Sequence, residues 1–596
     1  MAEQDPQNLI IGNCSGFYGD RLEAARELID GGPIDVLTGD YLAELTMAIL
    51  FRKKSRKPGE GYVGTFLRQM EDVMGDCLER GIKVVTNAGG LNPAGMAEAL
   101  QDIAKRLGLS PNIAWIEGDD LMPRMDQLKG AGETFAHLDK GTPLEESGLM
   151  PVTANAYLGC WGIREALDRD ADIVVAPRVT DAAVVMGPAA WKFGWKRDDY
   201  DALAGSLAAG HIIECGAQAT GGNYSFFREV PSYDAVGYPL AEMHPDGSFV
   251  ITKHPGTGGL VSVGTVTAQL MYEIATPEYL NPDVTAHFDS MKIEREGTDR
   301  VAVSGVRGSS PPDGHKVSMN TLGGHRNDMT VILTGLDIEE KARVVENTLF
   351  NSLGGKEQFE KVDVQLVRSD KADPPTNEEA FAQLRISVVA KDRNLAGRRF
   401  SAKLVELALA NIPGFTMSGP PGGGSPYLVY WPAIVGADKI RETVHAGGET
   451  IEVEPSAILG LPKVEVPRAG PRRAEPPGGE TVRVPLGRVF ATRAGDKGGN
   501  ANLGVWGRTP EAYAFLERFL TPEKLAELLQ DLAPYPIERY EFPNLNGVNF
   551  YIRGLLGEGV SASSRMDPQA KTLGEYLRAR VIEAPRSLVP SEYLSA

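Results

Sequence analysis

Residues 82–107 read IKVVTNAGGLNPAGMAEALQDIAKRL. A short apolar run, Ile82–Val85, ends in a turn rich in asparagine and glycine. Pro93 follows where a helix accepts proline, in its first turn, and an amphipathic stretch comes after it. The same layout recurs on both sides. Asn8–Ile11 precedes GNCSGFYGD and the helical pattern RLEAARELI, and Ile34–Leu37 precedes TGDY and LAELTMAILFRK. Ile113–Ile116 leads into EGDDL, and Ile173–Val175 precedes APRVTD and AAVVMGPAAWKFG. Strands this short and apolar suit a parallel sheet covered on both faces, and their alternation with helices predicts βαβ units.

From about Tyr238 the texture changes to longer, β-branched runs such as GSFVITKHPG, RVAVSGV and MTVILTGL. Residues 461–481 hold five prolines and no helical period, the pattern of an extended linker. Beyond it lies a compact tail with strands at Arg483–Ala491 and in IERYEFPNLNGVNFYIRGLL, and helices in PEAYAFLERFLTPEKLAELL and DPQAKTLGEYLRARVI. This is the layout of a split βαβ. The expected fold class is α/β: a large doubly wound amino-terminal domain with a mainly parallel sheet, a second α/β portion, and a small carboxy-terminal α+β ferredoxin-like domain. The expected boundaries are 1–235, 236–460, the linker 461–481, and 482–596.

The chain has 596 residues, so two to four structural units are expected. Sixty-one basic against eighty acidic residues give a net charge of −19. That surface repels phosphate backbones and anionic lipid, which argues against nucleic acid or a membrane as the principal partner. Cys14, Cys77, Cys160 and Cys215 lack Cys-x-x-Cys spacing and are too sparse for a disulfide scaffold, so a reducing cytoplasm is the expected location. The start, MAEQDPQNLI, lacks the basic and then apolar layout of a secretory signal. No apolar run reaches the ~18 residues of a membrane span.

Polar residues at the predicted strand ends are the candidate site. Gly12, Ser15 and Gly16 form the first turn, Asn87, Gly89 and Gly90 another. Each is either an anion cradle or a tight βα turn that binds nothing. Asp40 and Glu44 follow a strand four residues apart, where carboxylates enter α/β crevices or simply cap a helix. Arg178, with Asp181 beside it, is either a clamp for carboxylate or phosphate or a partner fixing its own loop. His211 and Glu214 are three apart, a spacing that lets them share a proton, and Cys215 beside them is a nucleophile or inert core. Gln218, Thr220, Gly221 and Gly222 read as a ligand-facing turn, Gly258 as part of a second cradle, and Arg307 as a strand-end cation. No third metal ligand has a spacing that matches His211 and Glu214, so a metal is a possibility the spacing does not support. In the tail, Arg493, Asp496, Lys497, Asn500 and Asn502, with Asn544, Asn546 and Asn549, are either an asparagine-rich turn network or a contact surface for the crevice of the main domain.

The segments GNCSGFYGDR, DYLAELTMAIL, KVVTNAGGLNP, NAYLGCWGIREAL, ADIVVAPRVTDAA, GHIIECGAQATGG and RAGDKGGNANLGV together resemble the acyclic terpene utilisation protein A (AtuA) family. The likeness covers nearly the whole chain, and the last segment is similar to the ferredoxin-like domain of that family. The resemblance implies a role in catabolism of citronellol- and geraniol-type terpenes or related branched acyl chains. One implied step is cleavage of 3-hydroxy-3-isohexenylglutaryl-CoA to a 3-oxoacyl-CoA and acetate.

The resulting expectation is an acyl-CoA-processing enzyme, a C–C lyase, with CoA present as part of the substrate and no other cofactor known. CoA diphosphate would sit on the glycine loops and Arg178 would clamp an anion. His211 or Glu214 would take the hydroxyl proton, with Asp40 or Asp181 as second carboxylate. The alternatives are an acyl-CoA hydratase or thioester hydrolase, and a non-catalytic subunit of an acyl-CoA carboxylase system. A homo-oligomer is expected.

Overall fold

The computed structural model describes residues 8–468, 470 and 475–594. The amino-terminal stretch read above for a signal lies outside these residues as far as Gln7, as do parts of the proline-rich linker.

Eight strands frame the first part of the chain: β1 (Leu9–Asn13), β2 (Val36–Gly39), β3 (Lys83–Thr86), β4 (Ile113–Glu117), β5 (Pro151–Ala156), β6 (Ile173–Val175), β7 (Pro239–Met243) and β8 (Phe249–Lys253). Five of them run parallel in the order β1-β2-β3-β6-β4. Alternate side chains go to opposite cores. Leu9, Ile11, Val36, Val85 and Val174 join one, with residues of the helices Trp161–Asp168, Ala183–Phe193 and Tyr200–Ile213. Leu37, Val84, Ile173 and Val175 join the other, with residues of Ala24–Gly31, Gly64–Arg80 and Pro93–Leu107. Because both faces are covered, the strands are apolar throughout.

The expectation of a mainly parallel sheet needs correction. The parallel strands are the centre of an 11-stranded mixed sheet. On one side β7 pairs antiparallel with β1 and β8 with β7, followed by Arg300–Ser304 and Lys292–Gly297. On the other, Glu442–Ala446 pairs antiparallel with β4 and then with Glu449–Val453. Adjacent antiparallel strands need only short turns, so hairpins extend a parallel core without further crossover helices. The sheet therefore continues across residue 235 without a break.

A second lobe is built on a 21-residue strand, Gly314–Thr334. It pairs with β5, Ser425–Gly436, Phe381–Ala390 and Phe415–Met417. Its register shifts between Leu322 and Gly324, and Gly324 takes φ +114°, a conformation that favours glycine. The helices Ile338–Leu353 and Phe400–Ala410 pack on this sheet through Val345, Leu349, Phe400 and Leu404.

The tail has its own core and a four-stranded antiparallel sheet: Ala491–Lys497, Asn500–Trp506, Gly547–Ile552 and Ile537–Phe542 in spatial order. Pro522, which cannot continue a helix, divides the long helix read there into Pro510–Phe519 and Pro522–Leu528. The strand read at 483–491 is also two elements. Thr481–Pro485 pairs with Val581–Pro585, and Ala491–Lys497 turns back through Gly498 at φ +63° into Asn500–Trp506. In the described part of the linker, Val464 and Ser310 exchange hydrogen bonds, so that segment lies along the main body. Among the described residues, no helix is long and apolar enough to cross a membrane.

Candidate functional site

The parallel strands all end on one edge, and the side chains that follow them meet there. After β2 comes Asp40, after β3 Asn87, after β4 Asp119, and after β6 Arg178 and Asp181. The order β1-β2-β3-β6-β4 brings β6 back between β3 and β4, which opens a crevice at such an edge. Asn87 Nδ2 donates to Asp40 Oδ1 at 2.5 Å, and its own Oδ1 accepts from the Tyr41 amide at 2.9 Å. Asp119 accepts from Asn155 Nδ2 at 2.7 Å, and burial pushes its carboxyl up to about 7. Arg178 donates to Asp181 at 2.5 Å and lies 4.0 Å from the centre of the Tyr157 ring. Ser15 bonds within its own turn and to the next strand end: its hydroxyl donates to Phe17 O, and its carbonyl accepts from the Asp40 amide.

The end of the helix Tyr200–Ile213 enters the same space. His211 is 1% exposed and packs against the stacked rings of Tyr279 and Phe288. Its Nδ1 lies 3.2 Å from Glu214 Oε1, but neither ring nitrogen has a hydrogen-bond partner, and neither does Glu214 Oε2. Burial lowers the imidazole to about 4, so it is neutral near pH 7. Burial and the nearby Asp181 push Glu214 well above the carboxylate range, and burial with the same neighbour does so for Asp40. Ligand atoms of Asp40, Asp181 and Glu214 lie within 4.8 Å of one another. The partners of Glu214 that sequence spacing does not supply thus come from the ends of β2 and β6. Cys215, beside them, is held far above the thiolate range by burial, the state of an inert thiol.

Several of the neighbouring groups carried no sequence signal. Lys316, on the long strand, lies over Tyr157 and 3.5 Å from Glu44. Burial pushes Glu44 up, but Lys316 and Arg178 hold it down at about 2. Tyr430 and Glu273 come from a second long strand and from a turn. The tail supplies Asp496 and Lys497. Lys497 Nζ donates to the Glu273 carbonyl at 2.8 Å, and Glu44, Asn320, Tyr430, Asp496 and Gly559 line one cleft between tail and body. The asparagines of the tail are a contact surface. Asn502 donates to Met271 O and accepts from the Glu273 amide. Asn549 donates to Ile274 O and Ala275 O, and Asn544 to Phe288 O and Met291 O.

The glycine cradles are a correction. The amides of Gly89, Gly90, Gly221, Gly222 and Gly258 donate to backbone carbonyls, and that of Gly16 to Asp20. A Cβ on Gly16 would stand 2.4 Å from the Cys215 backbone, one on Gly89 2.7 Å from Ala176 O, and one on Gly258 2.1 Å from Asp234 O. Gly12 packs against Leu240 and Leu28 within its strand. These glycines permit close approach of the chain to itself, which a turn needs as much as a phosphate does. Thr220 donates to Gly237 O and belongs to the same packing. Gln218 keeps an unpartnered Oε1. Arg307 is on another sheet, paired at the surface with Asp201.

The family model described as acyclic terpene utilisation family protein AtuA matches residues 9–446, and the AtuA ferredoxin-like domain matches residues 484–583. No curated protein matches the chain.

Proposed function

The chain belongs to the acyclic terpene utilisation AtuA family, and on that premise we propose that it is an acyl-CoA C–C lyase of citronellol and geraniol breakdown. The observation that carries the reading is the meeting of His211, Glu214, Asp40 and Asp181 at one sheet edge, with Arg178, Lys316 and Lys497 around them.

The substrate is a 3-hydroxy-3-alkylglutaryl thioester. Lys316 and Lys497 hold its free carboxylate and thioester carbonyl, since ammonium groups in a desolvated cleft bind anionic oxygen strongly. The hydroxyl proton passes to His211, a neutral imidazole whose ring nitrogens are unpartnered. The bond from C3 to the carboxymethyl carbon breaks, and C3 becomes the ketone of a 3-oxoacyl-CoA. The electron pair goes to the departing carboxymethyl carbon. Asp40, kept protonated by burial, gives it the proton that completes acetate. The diphosphate of CoA has no place on the glycine loops, whose amides are taken.

Incubation of the purified protein with 3-hydroxy-3-isohexenylglutaryl-CoA, followed by mass spectrometry, tests this. A 3-oxoacyl-CoA and acetate are expected. Release of free CoA would make the protein a thioester hydrolase, a change in mass by one water a hydratase, and an unchanged thioester a non-catalytic partner.

A further inference from the structure

Three carboxylates that are far apart in sequence stand with ligand atoms within 4.8 Å of one another at the edge of the sheet. Two of them, Asp40 and Glu214, are 5% and 6% exposed. Two of the three are held from behind: Asn87 donates to Asp40 and Arg178 to Asp181, as outer-shell partners orient metal ligands. Arg178 neutralises one of the three, and the other two face each other without a matching ion pair.

A separate observation points into the cluster. His211 is a buried imidazole with no hydrogen bond at either nitrogen, and its Nδ1 faces the Glu214 carboxylate at 3.2 Å, out of hydrogen-bond alignment. The second oxygen of Glu214 is unpartnered as well. Buried polar atoms are rarely left without a partner, and here the orphaned ones are the Glu214 oxygen within the cluster and the imidazole beside it.

We propose that Asp40, Asp181 and Glu214 bind a divalent cation of the Mg²⁺ or Mn²⁺ class, with His211 Nδ1 as an adjacent nitrogen donor. The donor set fits: oxygen ligands without thiolate suit these hard ions, and Mn²⁺ also accepts imidazole. Oxygens at about 2.1 Å around such an ion stand about 3 Å from their neighbours and about 4.2 Å from the one opposite, a range that carboxylate rotation reaches from the observed spread. Asp181 has a partly exposed side chain, so the cation is open to a ligand on that side. The site rests on the lyase reading for its place beside the substrate hydroxyl; with the ion bound, Asp40 and Glu214 serve as its ligands, Asp40 in place of its role as proton donor, and binding of the ion is measured without substrate. Failure of one therefore leaves the other standing.

The test is a titration of chelator-treated full-length protein with Mn²⁺, followed by electron paramagnetic resonance and calorimetry, with Mg²⁺ as competitor. One saturable Mn²⁺ per chain is expected, displaced by Mg²⁺. Asp181→Asn and Glu214→Gln should each weaken binding by tenfold or more, and Asn87→Ala by about tenfold. Asp181 is part-exposed, so its variant keeps the test open if a buried change disturbs folding. Arg307→Ala should bind as wild type. Absence of saturable Mn²⁺ binding, or equal binding by folded Asp181→Asn and Glu214→Gln, overturns the proposal.

Discussion

Lys497 Nζ donates to the carbonyl of Glu273 at 2.8 Å and thereby puts a charge of the carboxy-terminal domain inside the site of the main body. Burial lowers this ammonium, and burial with Glu44 nearby raises the Glu273 carboxyl to about 7. The small domain is therefore a wall of the site. Lys497→Met keeps the length of the side chain and removes the charge. Turnover should fall by about 100-fold or more while the melting temperature moves little, because a desolvated charge is lost along with one hydrogen bond. Steady-state kinetics and thermal melts check both.

The asparagines that fasten the tail make a separate prediction. Asn502→Ala leaves Met271 O and the Glu273 amide without partners. Each unsatisfied buried group costs about 1–3 kcal/mol. A lower melting temperature and faster proteolysis near residues 475–490 are expected. Asn544, half-buried at the margin, loses two carbonyl partners on substitution and should lower the melting temperature less than Asn502 does.

Gly16 tests the corrected reading of the glycine loops. A methyl group there meets the Cys215 backbone at 2.4 Å, and backbone cannot move aside as a side chain can. Gly16→Ala should destabilise the fold by about 1–3 kcal/mol, as overpacking does. Were the loop a phosphate cradle, the same change would weaken CoA binding and leave the melt unchanged.

Glu442 governs a pH effect away from the site. Burial raises it to about 8, with Asp283 adding to the rise. The native state therefore holds a proton there that the unfolded chain releases from pH 4.5 upward. The stability that this proton contributes is fully present below pH 4.5 and is lost as pH rises through about 8. Glu442→Gln, which cannot ionise, should gain in melting temperature relative to wild type as pH is raised from 6 to 9. A difference that stays flat over that range contradicts the burial argument.

Much of the framework was legible. Ile173–Val175 has the bounds its apolar run predicts, because a strand buried on both faces leaves an uninterrupted signal. Asp40, Asn87, Arg178, His211 and Glu214 were legible because strand-end position and helical spacing are local properties. Lys316, Tyr430 and Glu273 were not. Lys316 sits on a strand of ordinary alternation, and only the pairing of Gly314–Thr334 with β5 carries it to the site. The hairpin strands at the edges escaped for the same reason: a strand does not announce which neighbour it joins. The glycine loops were misread because one residue type serves two needs, close packing and ligand approach. Arg307 opens a strand of the separate three-stranded sheet and does not follow a strand of the parallel core.

The central claim is that one pocket, formed by strand ends of the body and roofed by the tail, takes the branched acyl thioester. A crystal structure with an uncleavable thioether of 3-hydroxy-3-isohexenylglutaryl-CoA measures this most directly. The account predicts the 3-hydroxyl within hydrogen-bond reach of Glu214 or His211 and the carboxylate arm against Lys316 or Lys497. Ligand density on the outer face of the second lobe, with the Asp40–Asp181–Glu214 edge untouched, would contradict it.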